Sequence, residues 1–160
     1  MSIFAPSEAE QRSPNEVAEL RRMVLAEFSD VVGPRWVTAD PLILDTYTWQ
    51  YIAEMMTGNN YAERPLALVL PADTAEVAEV VKQCNRLGCK YKALSTGFGV
   101  WNAPSRPDSV VQIDLRRMDQ IIKIDEKNMF AVVEPYVTGN QLQTEAMKVG
   151  LNTHITGAGG

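Results

Sequence analysis

The stretch that decides the fold is LALVLPADTAEVAEVVKQCNRLGCKYKAL, residues 66–94. Its first five residues are all apolar, which is typical of a strand buried on both faces, and Pro71 ends that strand. Asp73 stands three residues before Glu76, a spacing that predicts a helix start, and Gly88 predicts the helix end. A second strand follows. We therefore expect a βαβ unit with parallel strands and a right-handed crossover.

The residues before this unit divide into a polar tail and a helical segment. Residues 1–13 predict a loosely held tail, and Ser13 with Glu16 forms a capping-box spacing for a helix that should stop near Gly33. Residues 40–52 mix apolar and aromatic side chains without a clean period, which indicates a short helix and a loop.

The residues after the unit predict three short strands and a helix. The strands cover 110–115, 121–125 and 129–134, and their tight turns favour an antiparallel meander. Thr138 is the expected cap of the last helix, which should end at Gly150. Its expected buried stripe is Leu142, Ala146 and Val149.

Composition limits the classes of function open to the 160-residue chain. Apolar residues make up 46% and charged residues 22%, as in a globular protein with a buried core. The net charge is −5 and there is no long basic run, so we expect neither nucleic acid nor an anionic membrane as a partner. We expect no membrane span and no secretory signal. With only two cysteines, the sequence predicts no metal site, free thiols and a cytoplasmic location.

A glycine-rich loop, STGFG at 95–99, follows the second strand. Glycines let main-chain N–H groups approach an anion closely, and serine and threonine hydroxyls can add donors. The loop could equally be an ordinary tight connection between strands. The loop alone leaves both interpretations open.

The combined order of these segments resembles a known family. RPLALVLPADTAEVAEVVKQCNRLG is followed by ALSTGFG, then by SVVQIDLRRMDQIIKIDEKNMFAVVEPYVTGNQ, then by TGAGG. Over residues 64–160 this resembles the N-terminal part of the FAD-binding domain of the vanillyl-alcohol oxidase, or PCMH-type, flavoproteins. The resemblance implies an α+β fold. In this fold, an N-terminal tail and helical segment covers residues 1–63. A small parallel βαβ subdomain covers residues 64–100. An antiparallel α+β subdomain begins at residue 101 and is truncated at its glycine loop, at residue 160.

The resemblance also implies FAD as cofactor and a set of residues that bind it. The first loop would wrap the pyrophosphate, a second glycine loop would assist, and a strand-ending proline would lie near the adenine, although a plain strand stop is an equal interpretation of that proline. These residues are Ser95, Thr96, Gly97, Phe98, Gly99, Val100, Trp101, Gly157, Ala158, Gly159, Gly160 and Pro71. Phe98 and Gly99 stand where some relatives carry a flavin-linked histidine, so that bond is excluded at this loop.

The function implied by the resemblance is that of a flavin-dependent oxidoreductase. The enzyme would oxidise an alcohol or 2-hydroxy acid by hydride transfer to flavin, and no catalytic residue can be named. Expected partners are a small-molecule substrate and an electron-acceptor protein. The remainder of the flavin and substrate domains is also expected, either in the same chain or in a separate one. The alternative is a non-catalytic scaffold or assembly subunit of the same fold, which Tyr136 favours because it replaces a glycine of the family.

Other conspicuous residues have structural interpretations. Glu134 is expected to accept a structural hydrogen bond rather than act as a base, and Arg116 and Arg117 are expected to be solvated rather than to bind phosphate. His154, the single histidine, is interpreted as structural, although it lies near the flavin region of the resemblance. The two cysteines, Cys84 and Cys89, are interpreted as buried thiols rather than a redox pair.

Overall fold

The structure is a computed structural model, and it describes residues 12–48, 64–95 and 110–153. The helices are α1 (Pro14–Val32), α2 (Pro41–Asp45), α3 (Thr74–Leu87) and α4 (Gly139–Lys148), with a 3-10 turn at Pro34–Trp36. The strands are β1 (Val37–Thr38), β2 (Ala67–Val69), β3 (Lys90–Leu94), β4 (Val110–Asp114), β5 (Ile121–Asp125) and β6 (Phe130–Val133).

The first sheet has four strands in the order β1-β2-β4-β3. Strands β2 and β3 each pair with β4 in parallel, and β1 pairs with β2 in antiparallel fashion. The prediction that β2 and β3 run parallel is confirmed, but β4 lies between them. The prediction that β4 belongs to an antiparallel meander is wrong, because both of its hydrogen-bonding edges are occupied by parallel neighbours. The division of the chain at residue 100 stays a prediction.

One face of this sheet forms the main core with α1 and α3. Val24 and Phe28 of α1, Val80 of α3, and Val111 and Ile113 of β4 are all buried in one apolar cluster. Side chains alternate between the two faces of a strand, so Gln112 and Asp114 point to the opposite face, where both are fully buried. The central strand therefore carries an apolar face and a polar face.

The helix ends follow their sequence signals. Ser13 and Glu16 form the predicted capping box of α1, and Thr138 with Gln141 forms one at the start of α4. The predicted buried stripe of α4 is only partly correct. Ala146 is buried, whereas Val149 is exposed because it follows the last helical residue as the chain turns away.

The second sheet is the antiparallel hairpin of β5 and β6, as predicted for these two strands. The chain leaving β6 folds back onto the chain leaving β4. Glu134 N–H donates to the Gln120 carbonyl at 2.9 Å, and Tyr136 N–H donates to the Met118 carbonyl at 2.9 Å. These bonds fix the hairpin and the start of α4 beside the first sheet. Among the described helices, none combines the length and apolar content that a bilayer span requires.

Candidate functional site

The carboxyl ends of the three parallel strands meet at one edge of the first sheet. Leu94, the last residue of β3, lies opposite Asp114, the last residue of β4. Pro71 and Ser95 follow the ends of β2 and β3 at this same edge, and Pro71 is fully buried. Ligands of open parallel sheets bind outside the carboxyl ends of the strands. The two described residues among the predicted flavin contacts therefore share the edge where a ligand is expected.

Ser95 connects the two sheets. Its hydroxyl donates a hydrogen bond to the carbonyl oxygen of Pro135, in the turn between β6 and α4. Because its proton is used in this way, the Ser95 hydroxyl cannot also donate to an anion. The rest of the predicted contacts, Thr96 to Trp101 and Gly157 to Gly160, lie outside the described residues, as does His154.

A hydrogen-bonded cluster of the buried Asp114, the partly buried Tyr47 and the exposed Arg116 lies at the same edge. The Asp114 carboxylate accepts from the Tyr47 hydroxyl at 2.7 Å and from Arg116 Nε at 2.8 Å. Its other oxygen accepts from the Arg116 main-chain N–H at 2.9 Å. Arg116 also donates to the Tyr47 oxygen at 3.0 Å. The fully buried carboxylate is thus matched by one cation and one hydroxyl, which is what burial of a charge requires.

The cluster fixes the protonation states of Tyr47 and Arg116. Burial, followed by the hydrogen bond to Asp114, raises the pKa of the Tyr47 phenol well above its usual range. The hydrogen bond to Asp114 also raises the pKa of the Arg116 guanidinium. Tyr47 therefore stays neutral and Arg116 stays charged at ordinary pH. Tyr47 and Arg116 therefore do not form an acid–base pair.

Arg117 lies at the same edge of the sheet, on the side of β2. Its guanidinium lies 4.1 Å from the centre of the Trp36 ring, donates to the Leu70 carbonyl at 2.8 Å, and lies 3.7 Å from the Glu76 carboxylate. The expectation that Arg117 is solvated is wrong, because its side chain is only 23% exposed. The stacked ring and the carbonyl provide the partners that a poorly hydrated guanidinium favours.

The N-terminus of α3 also lies at this edge, and acidic side chains cap it. Asp73 accepts from the Glu76 N–H at 2.8 Å, and the Glu76 carboxylate accepts from the Ala72 N–H at 2.6 Å. The Asp73 carboxylate thus occupies one free N–H group of the first helical turn, and the two carboxylates place negative charge where a phosphate would otherwise bind.

Glu134 has the structural role that the sequence predicts. Its carboxylate accepts from the Gln120 main-chain N–H at 2.8 Å, which adds a side-chain bond to the main-chain bond between the same two residues. This arrangement holds the turn into α4. Within the described ranges, no group of three or more histidine, cysteine or acidic side chains is placed to hold a metal ion.

Sequence reasoning did not find the role of Tyr47. Tyr47 lies in the stretch 40–52, which has no clean period, so its partner could not be inferred. One signal was available for Asp114. A carboxylate that ends an apolar strand and is followed by two arginines needs a cation, and Arg116 supplies it.

Comparison with known proteins identifies the family. Residues 65–159, more than half of the chain, match the FAD binding domain family. The 4-cresol dehydrogenase [hydroxylating] flavoprotein subunit of Pseudomonas putida is 39% identical over 90 residues, which are 55% of this chain and 17% of that protein.

Solved structures agree with this assignment. p-Cresol methylhydroxylase with bound substrate superposes with a TM-score of 0.70 at 29% identity, over 87% of this chain and 26% of that one. The 4-ethylphenol oxidase of Gulosibacter chungangensis superposes with a TM-score of 0.70 at 25% identity, over 88% of this chain and 26% of that one. The chain thus spans about a quarter or less of the length of these relatives.

The fold and the sequence match together define a flavin-binding module. The chain belongs to the FAD binding domain family, in its PCMH-type form. FAD is the cofactor of this family, which confirms the cofactor expected from the resemblance. The described residues fit that group, because the strand ends converge at one edge and the competing helix N-terminus is already capped.

Proposed function

We propose that this chain supplies the pyrophosphate-binding side of the FAD cleft in a flavin-dependent oxidoreductase. One observation carries the proposal. Ser95, the first residue of the glycine-rich loop, lies at the carboxyl edge of the first sheet and contacts the turn at Pro135 that leads into α4. The loop therefore begins between the two sheets, where an extended dinucleotide would lie.

The residues assigned to the cofactor divide by role. Main-chain amides of the loop at 95–99 hold the diphosphate, since Gly97 and Gly99 let the main chain come close to oxygen. Residues 157–160 assist, and Pro71 lies beside the adenine. The arginines at the edge contribute little net field, because Arg116 is paired with Asp114 and Arg117 lies near Glu76. Neutral amides rather than cations thus carry the binding.

The proposed reaction is removal of a hydride from an alcohol or 2-hydroxy acid carbon. FAD, when bound, accepts the electrons, while protein groups hold and orient it. The cresol and ethylphenol in the names of the relatives add 4-alkylphenols to the substrates to test, and from these the hydride would leave the alkyl carbon next to the ring. The word "subunit" in the name of the Pseudomonas putida relative supports an electron-acceptor protein as a separate partner. A cytoplasmic location is part of the same proposal.

The loop assignment is tested by a charge placed in it. Gly97→Asp adds a carboxylate beside the diphosphate, and we expect FAD affinity to fall about 100-fold or more, with loss of the yellow flavin absorption from the purified flavoprotein. Gly97→Asn is the matched control, because it adds the same bulk without charge and should bind FAD more tightly than Gly97→Asp. Normal flavin retention in Gly97→Asp would contradict the assignment.

A second candidate is a scaffold or assembly subunit without flavin. The observation that favours it is Tyr136, which occupies a glycine position of the family and whose N–H is bound to the Met118 carbonyl. The absorption spectrum of the protein purified with its natural partners separates the two functions. Flavin bands support the oxidoreductase, and a colourless complex that forms normally supports the scaffold.

A further inference from the structure

The residues that follow β4 form a turn that is tied to the end of β3. Leu115 N–H donates to the Leu94 carbonyl at 2.9 Å, so the pairing with β3 extends one residue beyond Asp114. Met118 N–H then donates to the Leu115 carbonyl at 2.9 Å, which closes the turn at 115–118, and the Met118 side chain is buried. The turn therefore has a fixed position relative to Leu94, the residue just before the glycine-rich loop.

The same turn holds the connection between β6 and α4. Tyr136 N–H donates to the Met118 carbonyl at 2.9 Å, and the neighbouring Pro135 carbonyl accepts the hydroxyl proton of Ser95. Together with the two bonds at Leu115, these bonds form a closed circuit that starts at the end of β3 and returns to the first residue of the loop. The position of the loop relative to Pro135 therefore depends on the conformation of the turn at 115–118.

Asp114 sets the conformation of that turn from inside the protein. One of its carboxylate oxygens accepts the Arg116 main-chain N–H at 2.9 Å, which is the bond of an Asx turn. The other oxygen accepts from the Tyr47 hydroxyl at 2.7 Å and from Arg116 Nε at 2.8 Å. Asp114 has an exposed fraction of 0%. Because these donors come from two directions, they hold the carboxylate in one orientation and fix the path of the chain as it leaves β4.

We propose that Asp114 is a positioning residue for FAD, which sets the place of the glycine-rich loop through the turn at 115–118. The inference rests on the proposed function, because the place of the loop matters only if the loop binds the diphosphate. Asp114 acts through main-chain hydrogen bonds and not by contact with the cofactor, since its carboxylate is buried and already has its own donors.

The reason that position matters lies in how main-chain amides bind an anion. Several N–H groups must point at the same oxygen atoms, and a loop that is already held in that arrangement loses less entropy when the anion binds. A change at Asp114 should therefore weaken diphosphate binding, although the residue lies outside the loop and contributes no donor to it.

Asp114→Asn in the purified flavoprotein tests the proposal. Asparagine has only one acceptor oxygen, so either the Arg116 main-chain N–H or the side-chain donors lose their partner. We expect the affinity of the flavin-free protein for FAD, measured by the quenching of flavin fluorescence, to fall about 10-fold or more. ADP carries the same diphosphate and should lose affinity by a similar factor in competition with FAD. Riboflavin has no phosphate and should bind as it does to the wild type.

Val24→Ala is the matched control for a general loss of stability. Val24 is fully buried in the core on the opposite face of the sheet, so its truncation destabilises the fold without touching the turn. We expect wild-type FAD affinity in Val24→Ala. An equal fall in the two variants, a fall that includes riboflavin, or wild-type FAD affinity in Asp114→Asn would overturn the proposal.

Tyr47→Phe is a milder second variant, because it removes one donor to Asp114 and leaves the carboxylate in place. It should lower FAD affinity in the same direction by a smaller factor. If Asp114→Asn does not fold, wild-type affinity in Tyr47→Phe would overturn the proposal.

Gly97→Asp separates failure of this inference from failure of the proposed function. If Gly97→Asp loses flavin while Asp114→Asn and Tyr47→Phe bind it normally, the loop binds the diphosphate and the positioning role of Asp114 is wrong. If the wild-type flavoprotein holds no flavin, both the proposed function and this inference are wrong.

Discussion

The hydroxyl of Ser95 donates to the carbonyl oxygen of Pro135, and this bond joins the end of β3 to the turn that starts α4. The two residues follow strands of different sheets and are 40 positions apart in the chain. The first residue of the glycine-rich loop is therefore positioned by the second sheet as well as by the strand from which it emerges.

Ser95→Ala should weaken this connection. We expect a loss of about 0.5–1.5 kcal/mol in the free energy of unfolding, measured in urea, which is typical of a neutral hydrogen bond. Ser29→Ala is the matched control, since it removes a hydroxyl bond to the Leu25 carbonyl within α1. Only Ser95→Ala should also lower FAD affinity. Equal flavin affinity in the two variants would show that the link does not position the loop.

Tyr47→Phe should cost more than an ordinary tyrosine substitution. It removes a hydrogen bond to the buried Asp114 carboxylate, and bonds to charged groups contribute about 1.5–3 kcal/mol. Tyr91→Phe is the control, because Tyr91 is exposed, and a surface change should alter stability by less than about 0.5 kcal/mol. Urea unfolding of both variants measures the difference, and a similar small effect in both would contradict the role of Tyr47.

The same tyrosine predicts a loss of stability at alkaline pH. The pKa of Tyr47 is raised in the folded protein, so above the unfolded value of about 10 the folded state binds more protons than the unfolded state. The free energy of unfolding then falls as pH rises. The contribution is fully present below that value. Urea unfolding across this range should show a shallower fall for Tyr47→Phe than for the wild type, and parallel curves would contradict the prediction.

Arg117→Lys should destabilise the edge of the sheet. Lysine cannot stack its charge on Trp36 and reach the Leu70 carbonyl in the same way, so we expect a loss of about 1–2 kcal/mol. Arg35→Lys is a close control, because Arg35 lies over the same ring at 5.3 Å but is exposed. Thermal unfolding of the two variants gives the comparison. A larger effect at Arg35 would be inconsistent with the geometry.

Gly88→Ala should weaken the end of α3. At φ +66° an added Cβ is strained, and it would lie 3.3 Å from Arg12 Nη2, so we expect a loss of about 1 kcal/mol in the free energy of unfolding. Gly88→Asn should cost less, because asparagine tolerates this conformation better. If alanine and asparagine behaved alike in urea unfolding, the backbone conformation would not be the cause.

Local signals explain what the sequence predicted well. Caps at Ser13, Asp73 and Thr138 and the stop at Gly88 act within a few residues, and each was found where the sequence indicates. The buried strand at β2 was equally clear from its apolar run. These features depend on the chain near them and on little else.

The features that sequence reasoning missed depend on residues far apart in the chain. The place of β4 between β2 and β3 depends on hydrogen bonds to residues far away in the chain, which no short pattern encodes. The partners of Arg117 and Tyr47 are likewise 47 and 67 positions away, at Leu70 and Asp114. A charged residue after a strand is therefore predicted to be solvated when its distant hydrogen-bond partners are not known.

The central place of β4 has a consequence for synthesis of the chain. As the protein emerges from the ribosome, β2 and β3 are complete before the strand that joins them exists, and each then has an open edge facing a gap. Open strand edges can pair with other chains, and domains whose pairing is non-local fold slowly. Translation that pauses after residue 95 and before residue 110 would lengthen this vulnerable period, and a chaperone would be most useful there.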